Sequence, residues 1–232
     1  MDEKDFFRQI DFSLEITPLK NRKLVEITPC IEVISEKSAT LIVSFEVDGI
    51  ELIESARIAV SPGKNRIPLR EKVRIGNPSL WHVHTAGRPS LYEMSLIFYK
   101  DGAECHRITK RTGIRFPELK DGRQFHLNGD PVVLRRMETV SPEDLEALCA
   151  AEHFNCMRIP DTHEALDELL ELCDRNGIAV ALELSGERNI PLLAVHPSVC
   201  LFLAAENSAG HSAYRCAASP LPFLAPEDWD AF

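Results

Sequence analysis

The chain has 232 residues, 44% hydrophobic and 27% charged, enough to bury the core of one large domain or two modest ones. Its formal net charge of −10 gives no electrostatic basis for gripping nucleic acid or an anionic membrane surface. No apolar run approaches the ~20 residues needed to cross a bilayer, and the opening MDEKDFFRQI lacks the apolar stretch of a secretory leader, so a cytoplasmic location is expected.

From residue 40 the chain alternates. In TLIVSFEV, Leu41, Val43, Phe45 and Val47 share one face, and in LYEMSLIF the same holds for Tyr92, Met94, Leu96 and Phe98. Period two over short runs predicts half-buried strands. Turn signals punctuate them at Asp48-Gly49, Ser61-Pro62-Gly63, Gly76-Asn77-Pro78 and Asp101-Gly102. Short strands at this spacing predict an antiparallel, immunoglobulin-like β-sandwich over residues 1–119.

After residue 120 the period changes. QFHLNGDPVVLRR reads as a first strand or hairpin. SPEDLEALCAAEHF is a predicted helix, with Ser141 as N-cap, Pro142 at its first position and Asp144 as the capping-box acid. NCMRIP is a short strand. DTHEALDELLELCDRNG is a second helix, with Leu166, Leu169, Leu170 and Cys173 on one side and Gly177 as its stop. IAVALEL and VCLFLA are continuously apolar, as parallel strands buried on both faces are. The order β-α-β-α-β, linker, β predicts a parallel α/β domain over residues 120–232, with about four strands and an irregular tail from residue 212.

Seven cysteines, an odd number with no Cys-x-x-Cys pair, sit mostly in apolar runs and read as buried free thiols. His82 and His84 share a strand face. No acid or Cys stands near them at ligand spacing, so they are expected to be solvated, with no metal or cofactor implied.

Several stretches, in order, resemble the family 2 glycoside hydrolases, which include β-galactosidases, β-glucuronidases and β-mannosidases. They are NPSLW (77–81), GRPSLYEM (87–94), TGIRFPEL (112–119), FHLNGDPVVLRR (125–136), HFNCMRIPD (153–161), LDELLELCDRNGIAVALE (166–183) and HPSVCLFLAAEN (196–207). The resemblance implies an immunoglobulin-like sandwich followed by the first half of a (β/α)₈ TIM-type barrel, a multidomain β plus α/β chain. It also implies hydrolysis of O-glycosyl bonds in carbohydrate metabolism. Barrel active sites lie at the C-terminal ends of the strands, where Arg158, Asp161 and Glu183 fall and would line a substrate pocket. In the family the fourth strand ends Asn-Glu, the Glu being the acid/base. Counted from HPSV, this chain has Glu206 on the Asn position and Asn207 on the Glu position.

The departures set further expectations. The family's leading jelly-roll domain is not visible, and its nucleophile lies on a seventh strand, which would fall beyond Phe232. A retaining glycosidase needs two carboxylates ~5–5.5 Å apart, and an amide at the acid/base position cannot transfer a proton near neutral pH. The expected protein is therefore a catalytically impaired relative, a pseudoenzyme, with Glu206 and Asn207 marking the acid/base region. Structural roles compete with the functional ones: an internal ion pair to one of the acids for Arg158, and helix capping or loop ordering for Asp161 and Glu183. Three functions stay open: a carbohydrate-binding remnant, a β-glycosidase completed by a partner chain, and a protein-binding scaffold. A four-strand parallel arc also leaves edges that a second copy of the chain, in a homodimer, would cover.

Overall fold

The computed structural model describes residues 7–121, 124–149, 154–185, 190–203 and 221–229. They form two compact units. One comprises Met1–Pro78 and Tyr92–Thr112, the other Ser79–Leu91 and Gly113–Phe232.

The first unit is a β-sandwich of β1 (Phe7–Leu19), β2 (Leu24–Ser35), β3 (Ala39–Val47), β4 (Ile50–Val60), β5 (Gly63–Pro68), β6 (Val73–Gly76), β7 (Tyr92–Lys100) and β8 (Ala103–Thr112). One sheet runs β1-β2-β5 with β6 also on β2, and the other β4-β3-β7-β8. The alternation read from residue 40 is the inward face: Leu41, Val43, Phe45, Val47, Met94, Leu96 and Phe98 are all buried. Phe12 of one sheet meets Phe45 of the other edge-on, with ring centroids 6.3 Å apart. Asp48-Gly49 and Asp101-Gly102 are two-residue hairpin loops with positive φ at both positions (50° and 77°, 51° and 82°). Such turns match the right-handed twist of the flanking strands, and Asp-Gly is suited to them.

In the second unit, β9 (Pro117–Lys120), β10 (Gln124–Leu127) and β11 (Asp130–Pro131) form a three-stranded antiparallel sheet. A parallel sheet follows, built of β12 (Arg136–Met137), β13 (Cys156–Pro160), β14 (Ala179–Glu183), β15 (Val199–Leu203) and β16 (Phe223–Leu224), in that order. Helices α1 (Pro142–Cys149), α2 (Leu166–Asn176) and α3 (Ile190–Leu193) connect its first four strands. The cap at Ser141 forms as expected: its Oγ accepts from Asp144 N at 3.2 Å and donates to the Asp144 carboxylate at 3.0 Å. Gly177 ends α2 at φ 69° and donates its N–H to Cys173 O.

The two sheet faces separate cleanly. Met157, Ile159, Val180, Leu182, Val199 and Phe202 point to the helices and pack with Leu145, Leu169, Leu170, Cys173 and Ile190. Cys156, Ala179, Ala181, Cys200, Leu201 and Leu203 point the other way and are covered by Trp81, Val83, Phe125, Leu127 and Trp229. Arg136 lies over the Trp229 ring, 5.2 Å from its centroid, and donates to the Trp229 carbonyl. Between Val180↔Val199 and Ala181↔Leu201 the register slips by one residue. Cys200 is the extra residue of this β-bulge, so Cys200 and Leu201 both face inward.

Four expectations need correction. The hairpin Gln124–Pro131 is not in the parallel sheet, whose first strand is Arg136–Met137. Phe223–Leu224, expected in an irregular tail, adds a fifth strand by pairing with Phe202 and Leu203. The boundary expected at 119/120 falls at 112/113, because Phe116, Leu119 and the strands after them build the second unit. Residues 79–91, expected in the sandwich, also belong to the second unit. Trp81 is the reason: its side chain is fully buried in that core and its indole N–H donates to Asp174 O at 2.8 Å.

Candidate functional site

Strand alternation places Arg158 on the face shared with Cys156, and Glu183 on the face shared with Ala179 and Ala181. Both side chains therefore stand at the C-terminal rim of the sheet's inner face. They pair there: Arg158 Nε and Nη2 both donate to Glu183 Oε2, at 3.0 and 2.8 Å. The pair stays partly open, with the side chains 26% and 34% exposed. Thr139 Oγ1 donates to the Arg158 carbonyl from the end of β12.

Asp161 follows β13 and is only 2% exposed. Its Oδ1 accepts from Ser185 Oγ at 2.6 Å and Ser185 N at 3.2 Å, and its own N–H donates to Glu183 O at 2.8 Å. Asp161 thus fixes the chain where it leaves β14, directly beneath Glu183. The ion pair expected of Arg158 is formed with Glu183, and the loop-ordering role expected of an acid is taken by Asp161. Glu206 and Asn207 lie outside the described residues. Ser185 and Thr139 were not singled out from the sequence, since neither lies in a periodic segment.

At the opposite rim, Asp174 is 3% exposed and accepts from His196 Nδ1 at 2.7 Å and from Ser198 N at 2.9 Å. This group ties α2 to the start of β15. His82 and His84, expected to be solvated, are half-buried. His84 Nε2 lies 2.8 Å from Phe154 O, and His82 Nε2 lies 3.2 Å from Asn128 Nδ2. Burial lowers the His82 pKa below the ordinary imidazole value, against a weaker upward pull from Asp130. Among the described residues, no three His, Cys, Asp or Glu side chains converge as a metal site would require, and no helix is long and apolar enough to cross a membrane.

A model of the Glycosyl hydrolases family 2 matches residues 11–115. A β-galactosidase of Thermoanaerobacter pseudethanolicus is 26% identical over 134 residues, 52% of this chain and 18% of the relative. Over these stretches the chain is similar to glycosyl hydrolase family 2. A second relative, β-mannosidase B of Aspergillus terreus, is 40% identical over 87 residues, 34% of this chain and 10% of its own length. The fold extends over nearly the whole chain in solved structures. An exo-chitosanase of Amycolatopsis orientalis superposes with a TM-score of 0.77 at 16% identity, covering 93% of this chain and 31% of that one. A β-D-mannosidase of Dictyoglomus thermophilum does so at 0.71 and 18% identity, covering 94% and 35%. The chain thus spans about a third of these solved structures and under a fifth of the two curated relatives.

Proposed function

We propose that the C-terminal rim of the parallel sheet is a carbohydrate site of glycosidase type, with Arg158 and Glu183 holding hydroxyls of a sugar, on a sheet that forms part of a (β/α)₈ barrel beside an immunoglobulin-type sandwich. The observation that carries this reading is the partly exposed Arg158–Glu183 pair, standing where barrel enzymes bind substrate. The similarity to glycosyl hydrolase family 2 over residues 11–115 supports the substrate class.

We further propose that this chain hydrolyses β-glycosides weakly or not at all. Double displacement needs one carboxylate to attack the anomeric carbon and a second acid to protonate the leaving oxygen. Glu183 is engaged through Oε2 by two nitrogens of the Arg158 guanidinium. Asp161 is buried and spent on Ser185. By position the acid/base would be Asn207, and an amide has no proton to exchange near neutral pH. The assay uses the purified chain with aryl β-galactosides, β-glucuronides and β-mannosides. No turnover, together with sugar binding weakened by Arg158→Ala, is the expected result. Robust turnover abolished by Glu206→Gln would overturn the inactive reading and make Glu206 the acid/base.

A further inference from the structure

The two nitrogens that Arg158 gives to Glu183 go to the same oxygen, Oε2. Arg158 Nη1 and Glu183 Oε1 are left without a hydrogen-bond partner among the described residues, on side chains 26% and 34% exposed. One donor nitrogen and one acceptor oxygen of the pair are therefore left open at the rim. Two adjacent hydroxyls match them: one oxygen accepts from Nη1 while the neighbouring O–H donates to Oε1. The pair carries one positive and one negative charge in contact at 2.8 Å, so toward a ligand it is close to neutral. The nearby Asp161 carboxylate does not change this balance at the surface, because it is 2% exposed and turned to Ser185.

We infer that the rim selects neutral sugars, gripped through a vicinal diol, over uronic acids and amino sugars. The inference rests on the carbohydrate reading of the rim and adds the ligand's charge to it. A sugar carboxylate would meet the open Oε1 without a free cation to answer it. A sugar ammonium would meet a carboxylate already paired with Arg158. In either case the charged group loses water with nothing to replace it.

The test titrates the full chain, by calorimetry at pH 7 and low salt, with methyl β-mannoside, methyl β-galactoside, methyl β-glucuronide and methyl β-glucosaminide. The neutral glycosides are expected to bind best. Glu183→Gln, which keeps the shape and uncovers the guanidinium charge, should shift preference toward the glucuronide by about fivefold. Arg158→Gln, which uncovers the carboxylate, should shift it toward the glucosaminide by a similar factor. A wild-type preference for a charged glycoside, or variants that leave the ranking unchanged, would overturn the inference and leave the carbohydrate reading standing. Failure of all four to bind would overturn that reading and the inference together.

Discussion

Asn155 is 1% exposed and its amide is fully engaged: Oδ1 accepts from Arg135 N at 2.7 Å, and Nδ2 donates to Thr85 Oγ1 at 2.7 Å and to Val133 O at 3.0 Å. Asn155→Ala strands these buried groups, and a loss of about 2–3 kcal/mol is expected, read as a lower urea midpoint at unchanged slope. The thiols make a second case. Burial pushes Cys30 and Cys200 from 9.0 up to about 12, and also raises Cys156 and Cys173. Folding thus favours the protonated thiols. That contribution is complete below pH 9 and is lost as pH rises through about 12 for Cys30 and Cys200. Native alkylation at pH 8 should therefore modify exposed Cys105 first and leave these four intact until the protein unfolds. Rapid labelling of Cys200 in the folded protein would contradict this. At this scale the sequence is readable where an acid ends an apolar strand, as at Asp161 and Glu183, whereas Arg158, inside β13, stands out only through the family resemblance. It was silent on Asp174, which sits in a polar helix end and looks solvent-facing, yet is buried by contacts with residues far away in sequence.

The elements most legible from the sequence were those whose period met a single environment. Strands β3 and β7, the helix α2 and the apolar β14 and β15 fall where alternation and helical spacing put them. Strands β1 and β2 lie before residue 40, ahead of the alternation described above, although Ile10, Phe12, Leu14 and Ile16 also alternate. The bulge at Cys200 is a different kind of miss. VCLFL is apolar throughout, so nothing marks which residue is unpaired, and counting along β15 does not map one-to-one onto β14. Gly177 was readable as a helix stop, but its second role was not. A Cβ there would lie 2.7 Å from His84 N and 3.1 Å from His82 O, at φ 69°. His84 N also donates to Gly177 O at 2.8 Å. Gly177→Ala combines left-handed strain with backbone displacement, and a cost of about 2–3 kcal/mol is expected in chemical denaturation. A loss under about 0.5 kcal/mol, the range of ordinary surface substitutions, would show that the 82–84 backbone yields freely.

The whole chain is organised around residues 79–91, which leave the sandwich after Pro78, build into the second unit's core and return as β7. Three chain crossings, not one, therefore join the two units, and this was invisible to a reading that placed a single boundary where the hydrophobic period changes. NPSLW looked like the end of a sandwich because its neighbours on both sides are sandwich strands. A fragment of residues 120–232 lacks Trp81 and Val83, and with them the cover of Ala179, Ala181 and Leu201. It is expected to bind hydrophobic dye and melt without cooperativity, and a sharp two-state melt by circular dichroism would show the excursion to be dispensable. During synthesis the same excursion imposes a wait. The strands of the sandwich are complete once Thr112 has left the ribosome, but Trp81 has no core to enter until β15 ends at Leu203, about ninety residues later. At ordinary elongation rates that is roughly 5–20 seconds in which a tryptophan-bearing loop of a chain with its first unit already synthesised is open to chaperones and to neighbouring nascent chains.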